Sequence, residues 1–228
     1  MKTSLKRRAI ALVLAASSTA LAACGFADAA DRTYDLPNPK VDAPLAPSSA
    51  PQTLVVAGGC FWGVEAVFSH VKGVLSVTSG YAGGPASAAN YSAVSTGTTG
   101  HAEAVSVTYD PSQVTPGQLL KVFFSVAHDP TELNRQGPDR GTQYRSAIFY
   151  KGDEQKRIAD AYIDQLQKAK IYGQTIVTQV APLTAFYPAE AYHQDYLKNH
   201  PYEPYIVIND MPKVAALKAK FPTVYRDH

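Results

Sequence analysis

From Leu54 to Tyr150 the hydrophobic pattern runs strand, helix, strand, and then repeats that order. Leu54-Val55-Val56-Ala57 is a short apolar run ended by glycine, the mark of a buried strand. Val64, Val67, Phe68 and Val71 then recur at helical spacing, and Gly73 ends that helix. Val74 to Ser79 reads as a second strand, closed by a flexible turn, Gly80-Tyr81-Ala82-Gly83-Gly84. After a polar loop, Val105, Val107 and Tyr109 alternate with Ser106 and Thr108, the period of a half-buried strand that begins at Glu103. Thr115-Pro116 opens the next helix with a hydroxyl cap and a proline, and Leu119, Leu120, Phe123, Phe124 and Ala127 line one side of it. A long loop, His128 to Thr142, leads to a strand at Ser146 to Tyr150. Two such units commonly interleave. The expected fold class is therefore α+β: a ferredoxin-like split βαβ core with a mainly antiparallel sheet and extra C-terminal helices.

Beyond Tyr150 the pattern predicts a helix from about Asp153 to Ala169, with Ile158, Ala161, Tyr162 and Leu166 facing inward. A strand at Thr175 to Val180, a helix at Ala189 to Leu197 and an amphipathic stretch at Lys213 to Phe221 follow.

The first fifty-odd residues do not look like part of a domain. Lys2, Lys6, Arg7 and Arg8 precede an apolar, alanine-rich stretch, so residues 1–23 read as a secretory signal peptide. Leu21-Ala22-Ala23-Cys24 resembles a bacterial lipobox, which makes Cys24 a candidate lipidation site; Gly25 after it then points to the outer membrane. Ala27-Asp28-Ala29 instead fits ordinary cleavage, extending the signal to residue 29 and removing Cys24. Either exit leaves Cys60 as the one free thiol and excludes a disulfide framework in an exported, periplasmic protein. Residues 24–52 hold Pro37, Pro39, Pro44, Pro47 and Pro51 among small polar residues, and are expected to form an extended, mobile linker. Residues 53–228 are long enough for one domain with a real core, expected to be monomeric. A net charge of +2, with no basic run outside the signal, gives no footprint for nucleic acid.

Cys60 sits in Gly58-Gly59-Cys60-Phe61-Trp62-Gly63, where the first strand gives way to the first helix. Glycines there let the backbone turn and a ligand approach, and the unpaired amides of a helix's first turn favour thiolate. Phe61 and Trp62 supply two aromatic walls beside the sulfur. Polar candidates come from other loops: Glu103 at a strand start, Tyr81 between glycines, and Asp139 and Tyr144 in the dense polar stretch before Ser146. The chain has no G-x-S-x-G, no Cys-x-x-Cys, no H-E-x-x-H, no Walker loop and no dinucleotide-binding glycine motif. No histidine spacing suggests a metal. A Cys–His hydrolase would need a histidine beside Cys60, and the sequence leaves His101 and His128 open for that role, although His128-Asp129-Pro130 reads more simply as a helix end and turn.

Four segments resemble the peptide methionine sulfoxide reductase A family, in that family's order: Gly58-Gly59-Cys60-Phe61-Trp62-Gly63-Val64-Glu65, Gly80-Tyr81-Ala82-Gly83-Gly84, Gly100-His101-Ala102-Glu103-Ala104-Val105 and Gly141-Thr142-Gln143-Tyr144-Arg145-Ser146. His193-Gln194-Asp195-Tyr196-Leu197 is similar to its later helix. The resemblance implies that Cys60 attacks the sulfur of a methionine S-sulfoxide, protein-bound or free, while a protonated Glu103 supplies a proton to its oxygen. Tyr81 and Tyr144 would donate hydrogen bonds to that oxygen, Phe61 and Trp62 would enclose the S-methyl group, and Asp139 would assist by orientation or through water. The product would be a Cys60 sulfenic acid. Many relatives resolve it with a second cysteine near the C-terminus, but Pro201 to Asp210 contains none. Recycling is then expected from an external thiol, thioredoxin or similar, with no bound cofactor. The competing readings are a one-cysteine thiol peroxidase, which would call for an arginine beside the thiolate, and a binding protein that captures methionine side chains without turnover.

Overall fold

The structure, a computed structural model, describes residues 34–228, so the signal peptide and Cys24 lie outside the described residues. The elements follow in the order β1 (Gln52–Gly58), α1 (Phe61–Ser69), β2 (Val74–Ala82), α2 (Tyr91–Val94), β3 (Ala102–Tyr109), α3 (Pro116–Val122), β4 (Arg135–Gln136), β5 (Asp139–Arg140), β6 (Ser146–Tyr150), α4 (Gly152–Ala169), β7 (Gln179–Pro182), β8 (Phe186–Pro188), α5 (Tyr196–Asn199) and α6 (Met211–Lys220). One sheet runs β7-β6-β1-β3-β2-β8, and β4 and β5 form a separate ribbon. The class is α+β. Neighbours from β6 to β8 are antiparallel, but β7 lies parallel to β6, which makes the sheet mixed. The long helix α4 joins β6 to β7, and a helical crossover is what parallel neighbours require.

Strand alternation divides the core. Leu54 and Val56 of β1 and Val105, Val107 and Tyr109 of β3 join Val64 and Phe68 of α1, Leu119 of α3, and Ile158 and Tyr162 of α4 in the main cluster. The opposite face is smaller-grained, built from Ala57, Ala102, Ala104, Ala147 and Phe149 under Leu183 and Phe186. Glu103 is in register with Val105 at a period of two, so it shares the helix-covered face. A carboxyl there is buried by the fold itself.

Several elements differ from their expected bounds. β2 continues through Gly80-Tyr81-Ala82, expected as a turn, because these residues are flanked on both sides by β3 and β8. Ala189 to Leu197 is not one helix: a single 3₁₀ turn at Ala191–His193 precedes α5, and Asp195 between them has φ +51°. The strand expected from Thr175 starts only at Gln179. α3 is opened by a capping box between Thr115 and Gln118 and runs on into a π turn at Phe123–Ala127.

The proline-rich segment is the largest correction. Residues 34–51 form a strap fixed to the domain rather than a mobile linker. Leu36 is buried in the main core, Tyr34 packs against Tyr172, and the Tyr162 hydroxyl donates to the Pro37 carbonyl at 2.9 Å. Asp42 accepts from the Thr115 hydroxyl and from the Gly117 amide, placing a carboxylate on the first turn of α3. Prolines already restrict φ, so pinning this segment costs less chain entropy than pinning an ordinary linker.

Candidate active site

Cys60 is the N-cap residue of α1, at the end of a turn whose glycines are sterically required. Gly59 has φ +93°, and a Cβ there would stand 2.6 Å from the Gln136 side chain. A Cβ on Gly58 would reach within 3.0 Å of the His128 ring. That ring stacks on Phe123, and its Nε2 meets the Ser146 hydroxyl at 2.7 Å; Ser146 is itself the β6 partner of Gly58. Burial pulls His128 down to about 4, so a neutral imidazole braces the turn from below. Thus His128 supports the backbone before Cys60 through Gly58. His101 is engaged elsewhere, with the Gly84 amide and the Pro85 carbonyl.

The Phe61 amide donates to Glu103 Oε2 at 3.2 Å. Glu103 is 2% exposed, and burial pushes its carboxyl up to about 8 against that one stabilising bond, with Asp139 adding to the rise. At neutral pH it is therefore protonated, with Oε1 left to carry and donate the hydrogen. Cys60 keeps 7% of its surface exposed. Burial pushes its thiol well up, and Glu103, Asp210 and Asp139 push the same way against the Trp62 amide, which favours the thiolate. The helix end alone does not decide the charge of this sulfur; desolvation and carboxylates outweigh it, contrary to the expectation from the first-turn amides.

Phe61 is buried, with ring centroids 5.0 Å from His193 and 6.0 Å from Tyr81. Trp62 is half-buried, stacked on Tyr196 at 3.7 Å with Tyr205 edge-on at 5.9 Å, and its indole N–H donates to His193 Nδ1. Tyr144 lies in a stretch stitched down by Arg145, whose guanidinium donates to the carbonyls of Gly100, His101 and Thr142. Burial raises the Tyr144 hydroxyl, followed by the charges of Glu103, Asp139 and Cys60. Asp139, on β5, accepts from the Tyr205 hydroxyl and is itself raised by burial.

Tyr81 is placed differently from the expectation. Its side chain is fully buried, and its hydroxyl donates to Glu190 at 2.8 Å. The phenol that joins Tyr144 near the sulfur is Tyr91, raised by burial and then by Glu103 and Cys60. Asn90 caps the short helix that carries it, and Glu190 accepts from the Tyr91 amide, so one carboxylate ties both tyrosine-bearing segments together. Tyr205 is a third: burial and then Cys60 push its hydroxyl up. An asparagine directly before Tyr91 is the local signal for that cap; Tyr205 lies in the cysteine-free segment from Pro201 to Asp210 and carries no local signal of its own. Among the described residues no group of three or more potential ligands could hold a metal ion, and no helix is long and apolar enough to cross a membrane.

The known proteins to which this chain is similar share one family name. The family profile described as "Peptide methionine sulfoxide reductase" matches residues 52–224. The chain is 60% identical over 187 residues to "Peptide methionine sulfoxide reductase MsrA 2" of Mesorhizobium japonicum, covering 82% of this chain and 95% of that protein. It is 50% identical over 188 residues to the like-named protein of Synechocystis sp., covering 82% and 88%. Among solved structures, methionine sulfoxide reductase A of Corynebacterium diphtheriae superposes with a TM-score of 0.58 at 36% identity, covering 78% of this chain and 92% of that one. Mxr1 of Saccharomyces cerevisiae in reduced form gives 0.61 at 34% identity, covering 72% and 92%. Cys60 and the buried acid bound beside it thus belong to a chain that is a member of the peptide methionine sulfoxide reductase family.

Proposed function

We propose that this chain repairs oxidised proteins by reducing methionine S-sulfoxide, protein-bound or free, with Cys60 as nucleophile and an external thiol as the final electron source. The observation that carries the reading is the buried Glu103 carboxyl, protonated at neutral pH and bonded to the amide directly after Cys60. Sulfoxide sulfur becomes electrophilic when its oxygen gains a proton, which Glu103 supplies. Tyr91 and Tyr144, with Tyr205 behind them, donate to that oxygen as charge develops; Tyr91 takes the part expected of Tyr81. Trp62, held by Tyr196 and His193, offers its half-buried ring to the S-methyl group, and Phe61 backs it. Asp139 orients Tyr205.

The balance is complete. Cys60–SH and R–S(O)–CH₃ give Cys60–SOH and R–S–CH₃; the cysteine sulfur loses two electrons and the methionine sulfur gains them. Two external thiols then return Cys60–SH, releasing a disulfide and water. No cysteine follows Cys60, so a thioredoxin-like protein or small thiol must act on Cys60 itself. No cofactor is needed. A thiol peroxidase is less well supported, since the Arg145 guanidinium is committed to backbone carbonyls and the sulfur is held as a thiol.

The same proposal includes an exported, monomeric protein in the periplasm, anchored to the outer membrane by a lipid on Cys24. We also read β1, α1, β2, β3, α3 and β6 as a split βαβ core of ferredoxin-like type, supported by the order β6-β1-β3-β2 and its antiparallel pairings.

The test is a racemic methionine sulfoxide peptide with dithiothreitol. Consumption should stop at about half, the share of one epimer. Without reductant, intact mass should show one added oxygen on Cys60, and Cys60→Ser should abolish both. An unchanged peptide, or a Cys60→Ser variant that still reduces it, sinks the reading.

A further inference from the structure

The C-terminal segment brings a buried ion pair against the helix that Cys60 caps. Asp210 is 0% exposed; its Oδ1 bonds Lys213 Nζ at 3.0 Å, while its Oδ2 is buried without a hydrogen-bond partner. Gly63, in the first turn of α1, makes room for this pair: a Cβ there would lie 2.1 Å from Asp210 Oδ1 and 2.8 Å from Lys213 Nζ. The first turn of α1 is thus met by two carboxyl groups, Glu103 on the Phe61 amide and Asp210 against Gly63. A carboxylate at a helix N-terminus cancels the positive field that would otherwise favour an anion there. Such a buried, half-paired carboxylate is costly to keep, and packing alone gives no reason for it.

We propose that Asp210, anchored by Lys213, is a positioning residue that holds Cys60 in its thiol form between turnovers and so shields it from peroxide. The inference rests on Cys60 as the reacting sulfur. The titratable groups that act on that sulfur are Glu103 from β3, Asp139 from β5 and Asp210, which Lys213 pairs; the phenols of Tyr91, Tyr144 and Tyr205 feel it in turn. Burial raises the Asp210 carboxyl and the Lys213 ammonium works against that rise, keeping a carboxylate beside the turn that Cys60 caps; after Glu103, Asp210 is the acid that most opposes thiolate formation. Peroxide attacks only the anion: Cys60–S⁻ and HOOH give Cys60–SOH and hydroxide, and a second equivalent gives the irreversible sulfinic acid. With no cysteine after Cys60 to trap the first product as a disulfide, keeping the resting sulfur protonated is the protection left to it.

The experiment measures Cys60 alkylation by iodoacetamide against pH, and loss of free Cys60 to hydrogen peroxide at neutral pH, by intact mass. It compares wild type with Asp210→Asn and with Asp210→Asn/Lys213→Met, the double variant removing the lysine charge that the single one strands. Both variants should alkylate with a midpoint at lower pH, and each unit of that shift should speed peroxide oxidation about tenfold. Asp160→Asn, at an exposed position of α4, should leave both readouts unchanged. A folded double variant whose midpoint and peroxide rate match wild type, or whose midpoint rises, overturns the proposal. Neither readout involves a sulfoxide, so a failure here is separable from a failure of sulfoxide reduction in wild type.

Discussion

Glu103 accepts a hydrogen bond from the Phe61 amide at 3.2 Å, joining an acid of β3 to the peptide unit that follows Cys60. The same amide belongs to the first turn of α1, so acid and sulfur are fixed to one rigid piece of backbone. Their separation is set by the β3 register and the Gly58-Gly59 turn.

In the proposed mechanism Glu103 works in its protonated form. Its carboxyl titrates near 8, so the first chemical step should slow as pH rises through that value. Glu103→Gln should slow the step by about 10²- to 10⁴-fold, the usual contribution of a positioned acid. Single-turnover rates from pH 6 to 10 would check both, and near wild-type rates in the variant at neutral pH would remove Glu103 as donor.

His128 makes stability depend on acid. Its ring titrates near 4 in the folded protein and near its ordinary 6.5 when unfolded. Between these values the unfolded chain binds more protons, so stability is lost as pH falls from 6.5 towards 4. In thermal melts across that window, His128→Gln should show a shallower dependence than wild type. Parallel curves for the two proteins would contradict the assignment.

Tyr91 and Tyr81 should part company when each loses its hydroxyl. Tyr91→Phe removes a donor near Cys60 and should slow sulfoxide reduction on the order of 10–100-fold with little change in melting. Tyr81→Phe leaves the Glu190 carboxylate short of a partner, and its cost should fall mainly on stability, about 1 kcal/mol. The reverse pattern in paired kinetic and melting measurements would restore Tyr81 to the site.

The strap should matter to folding and not to chemistry. Asp42→Ala strips the Thr115 hydroxyl and the Gly117 amide of their acceptor and should cost about 1–2 kcal/mol by urea denaturation. Turnover at saturating sulfoxide should not change. A variant as stable as wild type would mean that the Asp42 bonds do not help hold the strap to the domain.

Cys60 and Glu103 were legible as candidates because local pattern encodes where they sit. A thiol after two glycines at a strand-to-helix junction can only cap that helix, and a period of two puts Glu103 on the face of Val105 and Val107. The alternation of strand and helix up to Tyr150 survived for the same reason: each amphipathic element declares its own buried side. Where glycines were read as a turn, at Gly80 to Ala82, pairing with strands on both sides overrode the local preference.

What the sequence left open was which distant groups share the sulfur's surroundings. Among 14 tyrosines, no local signal separates Tyr81 from Tyr91 or Tyr205, because a phenol's role depends on where its hydroxyl ends rather than on its neighbours in the chain. The charge of Cys60 was undecidable for a related reason: the helix end is a local feature, but the desolvation and the carboxylates of Glu103, Asp139 and Asp210 arrive only when remote segments pack. Composition and periodicity settle the elements and the buried faces; long-range packing alone assigns partners and protons.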